Sequence, residues 1–162
     1  MVRDPRDTVV SFYRFEMKRR RHGYHSSFCA LPHDEACLRA AIAGDAGLGI
    51  PDVATRLKGF ARWLPHVSCV VRFENLIGEQ GGGSREAQVR EIDRLSRGIG
   101  MALTGDQVAY IADHAFDFRS RTFRKGIIGQ WVDEFTDEHK ELFKQTAGDY
   151  LVNFGYEVDS NW

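Results

Sequence analysis

The sequence has few cysteines, few prolines, no long apolar run and no excess of charge of either sign. Three cysteines, Cys29, Cys37 and Cys69, are odd in number and form no CxxC pair, which argues against a disulfide framework and for a reducing compartment. No stretch approaches the roughly 18 apolar residues of a membrane span, and the first residues carry no charged-then-apolar leader. The expected setting is therefore the cytoplasm, with no membrane partner. Lys+Arg of 22 against Asp+Glu of 23 leaves a formal charge of -1, which argues against nucleic acid as a main partner. Any anion this chain binds must be held by a local cluster.

What is present suits one domain over residues 1–162 with a real core: 43% of residues are hydrophobic and 28% charged. Arg3-Asp4-Pro5-Arg6-Asp7 reads as the end of a strand running into a helix, with Asp4 as N-cap, Pro5 at the first helical position and Asp7 in the first turn. That helix runs to about Arg20 or His22, with Val9, Val10, Tyr13 and Met17 on its apolar side. A loop to Pro32 and a short helix over 34–43 follow. Pro51 opens a helix through Leu64, and Val67 to Phe73 is the best strand candidate, apolar enough for a parallel strand covered on both faces. Gly78 to Gly83 reads as a flexible connector. Helices are expected over 84–98, from Thr104 with its capping-box partner Gln107, and from Thr136 to about Phe154.

Two clusters of residues could hold an anion. Arg3 and Ser11 flank the first helix start, where a guanidinium and a hydroxyl beside backbone N–H groups suit a phosphate. The competing reading pairs Arg3 with Asp4 or Asp7. The second cluster is Thr122-Phe123-Arg124-Lys125-Gly126-Ile127-Ile128-Gly129-Gln130-Trp131, in which adjacent cations precede two glycines that let the backbone form a phosphate-binding turn. Its competitor is a solvated basic loop. Gly78 to Gly83 has the glycine spacing of a nucleotide loop, but Ser84-Arg85 stands where Lys-Ser/Thr is required. His25, Cys29, His33 and Cys37 recur every four residues, yet Pro32 interrupts any helix that would align them, so no metal is expected.

With both clusters in view, VRDPRDTVVSFYRF resembles the 3′-phosphate-binding motif of the sulfotransferases that use 3′-phosphoadenosine 5′-phosphosulfate (PAPS), and FRKGIIGQW resembles their RKGxxGxW motif. VVRFENL is similar to a strand segment of that family, and the order and spacing agree over essentially the whole chain. The resemblance implies an α/β, mostly parallel-sheet, P-loop-like sulfotransferase fold. It also implies a C-terminal portion of that domain, with the first strands, the phosphosulfate loop and the general base expected upstream of Arg3.

Carried over by position, the resemblance implies that Arg3 and Ser11 bind the 3′-phosphate and that Arg124, Lys125 and Gly126 close over it. Phe73 falls where many members contact adenine, and Trp131 reads as a core anchor for the loop. The implied cofactor is PAPS, with adenosine 3′,5′-bisphosphate as product, and the implied reaction is sulfuryl transfer to an acceptor hydroxyl or amine on a small molecule. No catalytic residue is assigned within the chain. The alternative is a non-enzymatic module of the same fold, and an incomplete sheet edge suggests self-association.

Overall fold

The computed structural model describes residues 1–21, 23–116 and 125–162. The described residues form α1 (Pro5–Lys18), α2 (His25–Cys29), α3 (Asp34–Ala43), α4 (Val53–Ala61), α5 (Phe73–Leu76), α6 (Arg85–Gly98), α7 (Gly105–His114), α8 (Gln130–Glu134) and α9 (Asp137–Asn153). Short 3₁₀ turns lie at Leu64–His66 and Glu79–Gly81. Among these residues there is no strand and no sheet, which overturns the expected α/β parallel-sheet fold. The chain, expected as one domain over 1–162, divides into two compact units: Asp4–Trp63 with Gly129–Trp162, and Met1–Arg3 with Leu64–Ile128.

In the first unit α1 starts where its caps predict. Asp4 Oδ1 accepts the Arg6 N–H at 2.8 Å, and Pro5 follows at the position where a missing N–H costs nothing. Val9, Val10, Tyr13 and Glu16 form its buried face, while Met17, expected there, is exposed. The core gathers Val9, Val10 and Tyr13 with Phe28, Ile42, Val53, Phe143 and Leu151, so that α1 packs on α3 and α8, and α9 packs on α3 and α4. Thr136 begins α9 with a capping box whose third position is His139.

Two polar ties close this unit across the chain. Asp7, fully buried, accepts the backbone N–H of Gly129 at 2.8 Å and of Trp131 at 3.1 Å. Gly129 has φ +74°, which a residue with a side chain rarely adopts, and its turn aims both N–H groups at the carboxylate. Arg6, also buried, pairs with Asp4 at 2.7 Å and Glu157 at 2.6 Å. Its guanidinium lies over the rings of Trp131 and Trp162 at 4.0 and 4.5 Å. Trp131, read as a core anchor for the loop, is half-buried against the apolar core of this unit.

In the second unit α6 packs on α5 and α7, and Ile92, Val108 and Ala112 are its buried apolar centre. The expected strand over 67–73 makes a single parallel bridge, Val2 to Arg72, in which the Val2 N–H donates to the Val71 carbonyl at 2.7 Å and the Phe73 N–H donates to the Val2 carbonyl at 2.8 Å. It goes no further because α6 side chains take backbone groups that a neighbouring strand would need. Glu91 Oε1 accepts the Arg72 N–H at 3.0 Å, and Arg94 Nη2 donates to the Val70 carbonyl. Val67 and Val70 are left exposed, and Phe73 turns directly into α5. Without a sheet among the described residues, the expected self-association through a sheet edge loses its premise.

Glu91 earns its burial through four donors: the Arg72 N–H, Arg94 Nε and Nη2 at 3.1 and 2.7 Å, and Asn75 Nδ2 at 3.5 Å. Burial raises the carboxyl's proton affinity, but the Arg94 and Arg72 hydrogen bonds outweigh it, and the pKa falls below the usual glutamate value.

Asp7→Ala is expected to destabilise the protein by about 3–5 kcal/mol, since it strips the acceptor from two partly buried N–H groups and opens a void where a fully buried side chain stood. Urea unfolding of parent and variant measures this. A loss under about 1 kcal/mol would mean that Asp7 does not tie the turn at Gly129 to α1.

Candidate functional site

Four of the six expected site residues lie in the unit formed by Met1–Arg3 and Leu64–Ile128. Arg3 Nη2 donates to the Ile127 carbonyl at 2.8 Å, and its guanidinium carbon stands 4.4 Å from the centre of the Phe73 ring. The half-buried arginine is thus held by an aromatic face and by the segment that carries Lys125 and Gly126. Lys125 is exposed and Gly126 has φ +62°. Arg124 lies outside the described residues. Ser11 belongs to the other unit, half-buried on α1.

The glycine-rich segment supports this cluster by close approach. The Ile128 N–H donates to the Gly81 carbonyl at 2.9 Å, and a Cβ on Gly81 would stand 2.3 Å from the Gly126 carbonyl oxygen and 2.1 Å from Ile77 Cγ1. Only glycine fits there, so a segment that reads as a flexible connector is a packed shelf under residues 126–128. Phe73 is buried, with Arg3 on its face and Phe116 edge-on at 6.2 Å. In this arrangement the ring orients Arg3, and the face under the guanidinium is not open to a base. His114 stacks on Tyr110 at 4.2 Å and meets the Tyr110 carbonyl through Nδ1 at 2.8 Å.

The same unit holds a cleft of about 440 Å³ lined by Glu79, Gln80, Arg85, Gln88, Ala112 and Asp113. Arg85 pairs with Asp113 at 2.7 Å across it, and Gln88, buried, spends its amide on the Leu76 and Ala112 carbonyls. These bonds brace α5, α6 and α7, a structural use of the side chains.

Within the other unit a cleft of about 320 Å³ is lined by Tyr13, Arg14, Asp34, Glu134, Thr136 and His139, among others. The Tyr13 hydroxyl donates to Glu134 Oε2 at 2.6 Å, and Arg14 bridges Asp34 at 2.8 Å and Glu134 at 3.2 Å. Burial, reinforced by Glu134, pushes the Tyr13 phenol well above its ordinary value. His139 is buried, and its Nδ1 accepts the Thr136 N–H at 3.2 Å. Burial lowers its pKa, with Glu35 opposing the shift.

Sequence reasoning missed Asp7, Glu91 and the Tyr13–Glu134–Arg14 cluster as organising groups. Among the described residues no group of three His, Cys, Asp or Glu side chains is placed to hold a metal ion. His33 instead caps α3 by accepting the Ala36 N–H at 3.1 Å, and Cys37 is buried with Sγ 3.6 Å from the Phe28 carbonyl. No helix among the described residues is long and apolar enough to cross a membrane. Compared with family models, curated proteins and solved structures, the chain matches none.

His139 gives a signed pH dependence. Its folded pKa lies below the ordinary 6.5, so its contribution is complete above about 6.5 and is lost as pH falls toward the folded value, where the unfolded chain binds the proton first. Between about pH 7.5 and 5 the melting temperature of the parent is expected to fall more than that of His139→Gln, which keeps a capping side chain but does not titrate. Parallel slopes would show that His139 does not titrate on unfolding.

Proposed function

We propose that this chain binds the 3′-phosphoadenosine part of PAPS, with sulfuryl transfer to an acceptor hydroxyl or amine as the reaction class that the resemblance suggests. The observation that carries the reading is the Arg3 to Ile127 hydrogen bond at 2.8 Å. It joins the arginine of one phosphate-type motif to the basic, glycine-containing segment of the other, two stretches separated by 124 residues. The proposal rests on this juxtaposition and on the motifs, and it uses no sheet.

In this reading the 3′-phosphate meets Arg3 and Lys125, whose charges suit a dianion, and the turn at Gly126 supplies backbone N–H groups beside them. A guanidinium presents a planar fork of donors that matches phosphate oxygens, and the Phe73 ring beneath Arg3 limits its rotation. Arg124 adds a third cation in sequence next to Lys125, while Ser11, the hydroxyl of the motif, lies in the other unit and is not used in this site. The chain is nearly neutral overall, so this local concentration of positive charge is what selects an anion.

Calorimetry tests the assignment. Adenosine 3′,5′-bisphosphate is expected to bind more tightly than adenosine 5′-monophosphate, and Lys125→Ala and Arg124→Ala should each weaken the bisphosphate by about 1.5–3 kcal/mol, the range for a hydrogen bond to a charged group. Each change should leave the monophosphate nearly unaffected. Equal affinity for the two nucleotides in the parent would rule out a 3′-phosphate site.

A further inference from the structure

Residues 17–33 contain no aspartate or glutamate, and within them Lys18-Arg19-Arg20-Arg21 sets four cations in succession. Lys18 ends α1, where a cation suits the partial negative charge of a helix C-terminus. That accounts for Lys18 and not for the three arginines after it. Arg20 and Arg21 lie in the turn that follows the helix, and both are exposed, as is Lys18. Arg19 is half-buried, its guanidinium carbon 5.5 Å from the centre of the Phe15 ring.

Other cations of the surface are neutralised where they stand: Arg14, Arg85, Arg94, Arg97 and Lys140 each meet a carboxylate at 2.7–2.8 Å. Among the described residues no side chain of the run has an ion pair or a hydrogen bond to protein. Glu16, the last acid before the run, is fully buried, with its carboxylate taking the Tyr24 N–H at 3.1 Å, and Asp34, the next acid after it, pairs with Arg14. The run is therefore an uncompensated block of positive charge in a chain whose total is -1. A balanced total weighs against a polyanion held over the whole surface. It does not weigh against one held at a single block, because charges more than about 10 Å away are largely screened at ordinary ionic strength.

We propose that residues 18–21 bind the backbone of single-stranded nucleic acid. Three of the four cations are arginines, whose planar forks match phosphate oxygens and whose faces stack on unpaired bases, as an ammonium does not. Reading a duplex calls for a helix or ribbon that enters a groove. Here α1 stops at the first cation and α2 has 5 residues, so the run has no helix to carry it there. A single strand needs only a positive surface along its backbone. An anionic membrane shares the phosphate chemistry, but segments that lie on membranes also insert an apolar face. The apolar face of α1, Val9, Val10 and Tyr13, is taken by the core, which leaves Met17 as the exposed apolar neighbour of the run.

The test follows the fluorescence anisotropy of a labelled uridine oligomer of roughly 12 nucleotides as the full chain is added at about pH 8, where ordinary histidines are neutral. Each cation on a single-strand phosphate contributes about -0.7 to the slope of log affinity against log salt, so this run should give about -2 to -3. Between about 25 and 200 mM salt the affinity is then expected to fall about 60- to 500-fold. Changing Arg20→Gln and Arg21→Gln together removes exposed side chains that hold nothing in the fold. The fall should shrink below about 20-fold, and the affinity at about 25 mM salt should drop at least about fivefold. Adenosine 3′,5′-bisphosphate at matched ionic strength should not displace the oligomer, which separates this surface from Arg3 and Lys125. A parent slope shallower than about -1 would overturn the proposal without any variant. So would a folded double variant that binds within about twofold of the parent, displacement by the bisphosphate, or binding to vesicles of phosphatidylserine and phosphatidylcholine with none to the oligomer.

Discussion

The Asp7 carboxylate receives backbone N–H groups from residues 122 and 124 positions away, and the unit around it follows from that constraint. A buried carboxylate without donors is too costly to keep, so once α1 buries its Val9, Val10 and Tyr13 face, the turn at Gly129 must arrive beside Asp7. That turn starts α8 and places Trp131 under the Arg6 guanidinium. Arg6 in turn needs Asp4 and Glu157, which brings the chain beyond α9 back to the start of α1. A short acidic and basic stretch at the head of one helix thereby closes a unit assembled from two distant pieces of chain.

Glu91 plays the corresponding part in the other unit. Its carboxylate takes the Arg72 N–H and fixes Arg94, whose guanidinium then reaches the Val70 carbonyl. A side chain can satisfy a backbone group as well as a strand can, and when it does so the segment has no need of a ladder. This is why an apolar run with strong strand character ends as an irregular approach to α5 with one bridge to Val2.

The candidate anion site was visible in the sequence as types and spacing, and its assembly was not. Arg3, Lys125 and Gly126 can be picked from motif resemblance. Nothing in those motifs says that Arg3 bonds to Ile127, that Phe73 lies beneath the guanidinium, or that Gly81 is a glycine because the Gly126 carbonyl passes 2.3 Å from where its Cβ would be. Asp4 takes the Arg6 guanidinium at 2.7 Å, and Asp7 accepts the N–H groups of Gly129 and Trp131, partners that the motif does not name.

The features that the sequence determined by itself are those whose physics is local. Asp4, Thr104 and Thr136 each cap the helix expected after them, because a capping oxygen and the N–H it serves lie within three residues. The buried stripe of α1 was readable for the same reason, apart from Met17 and Glu16, whose exchange depends on what packs against the end of that helix. Tertiary structure alone decided the fate of residues 67–73, the burial of Asp7 and Glu91, and the orientation of Arg3. In each case the deciding partner is 19 or more residues away, and which distant donor meets which acceptor is settled by packing, to which spacing along the chain is blind.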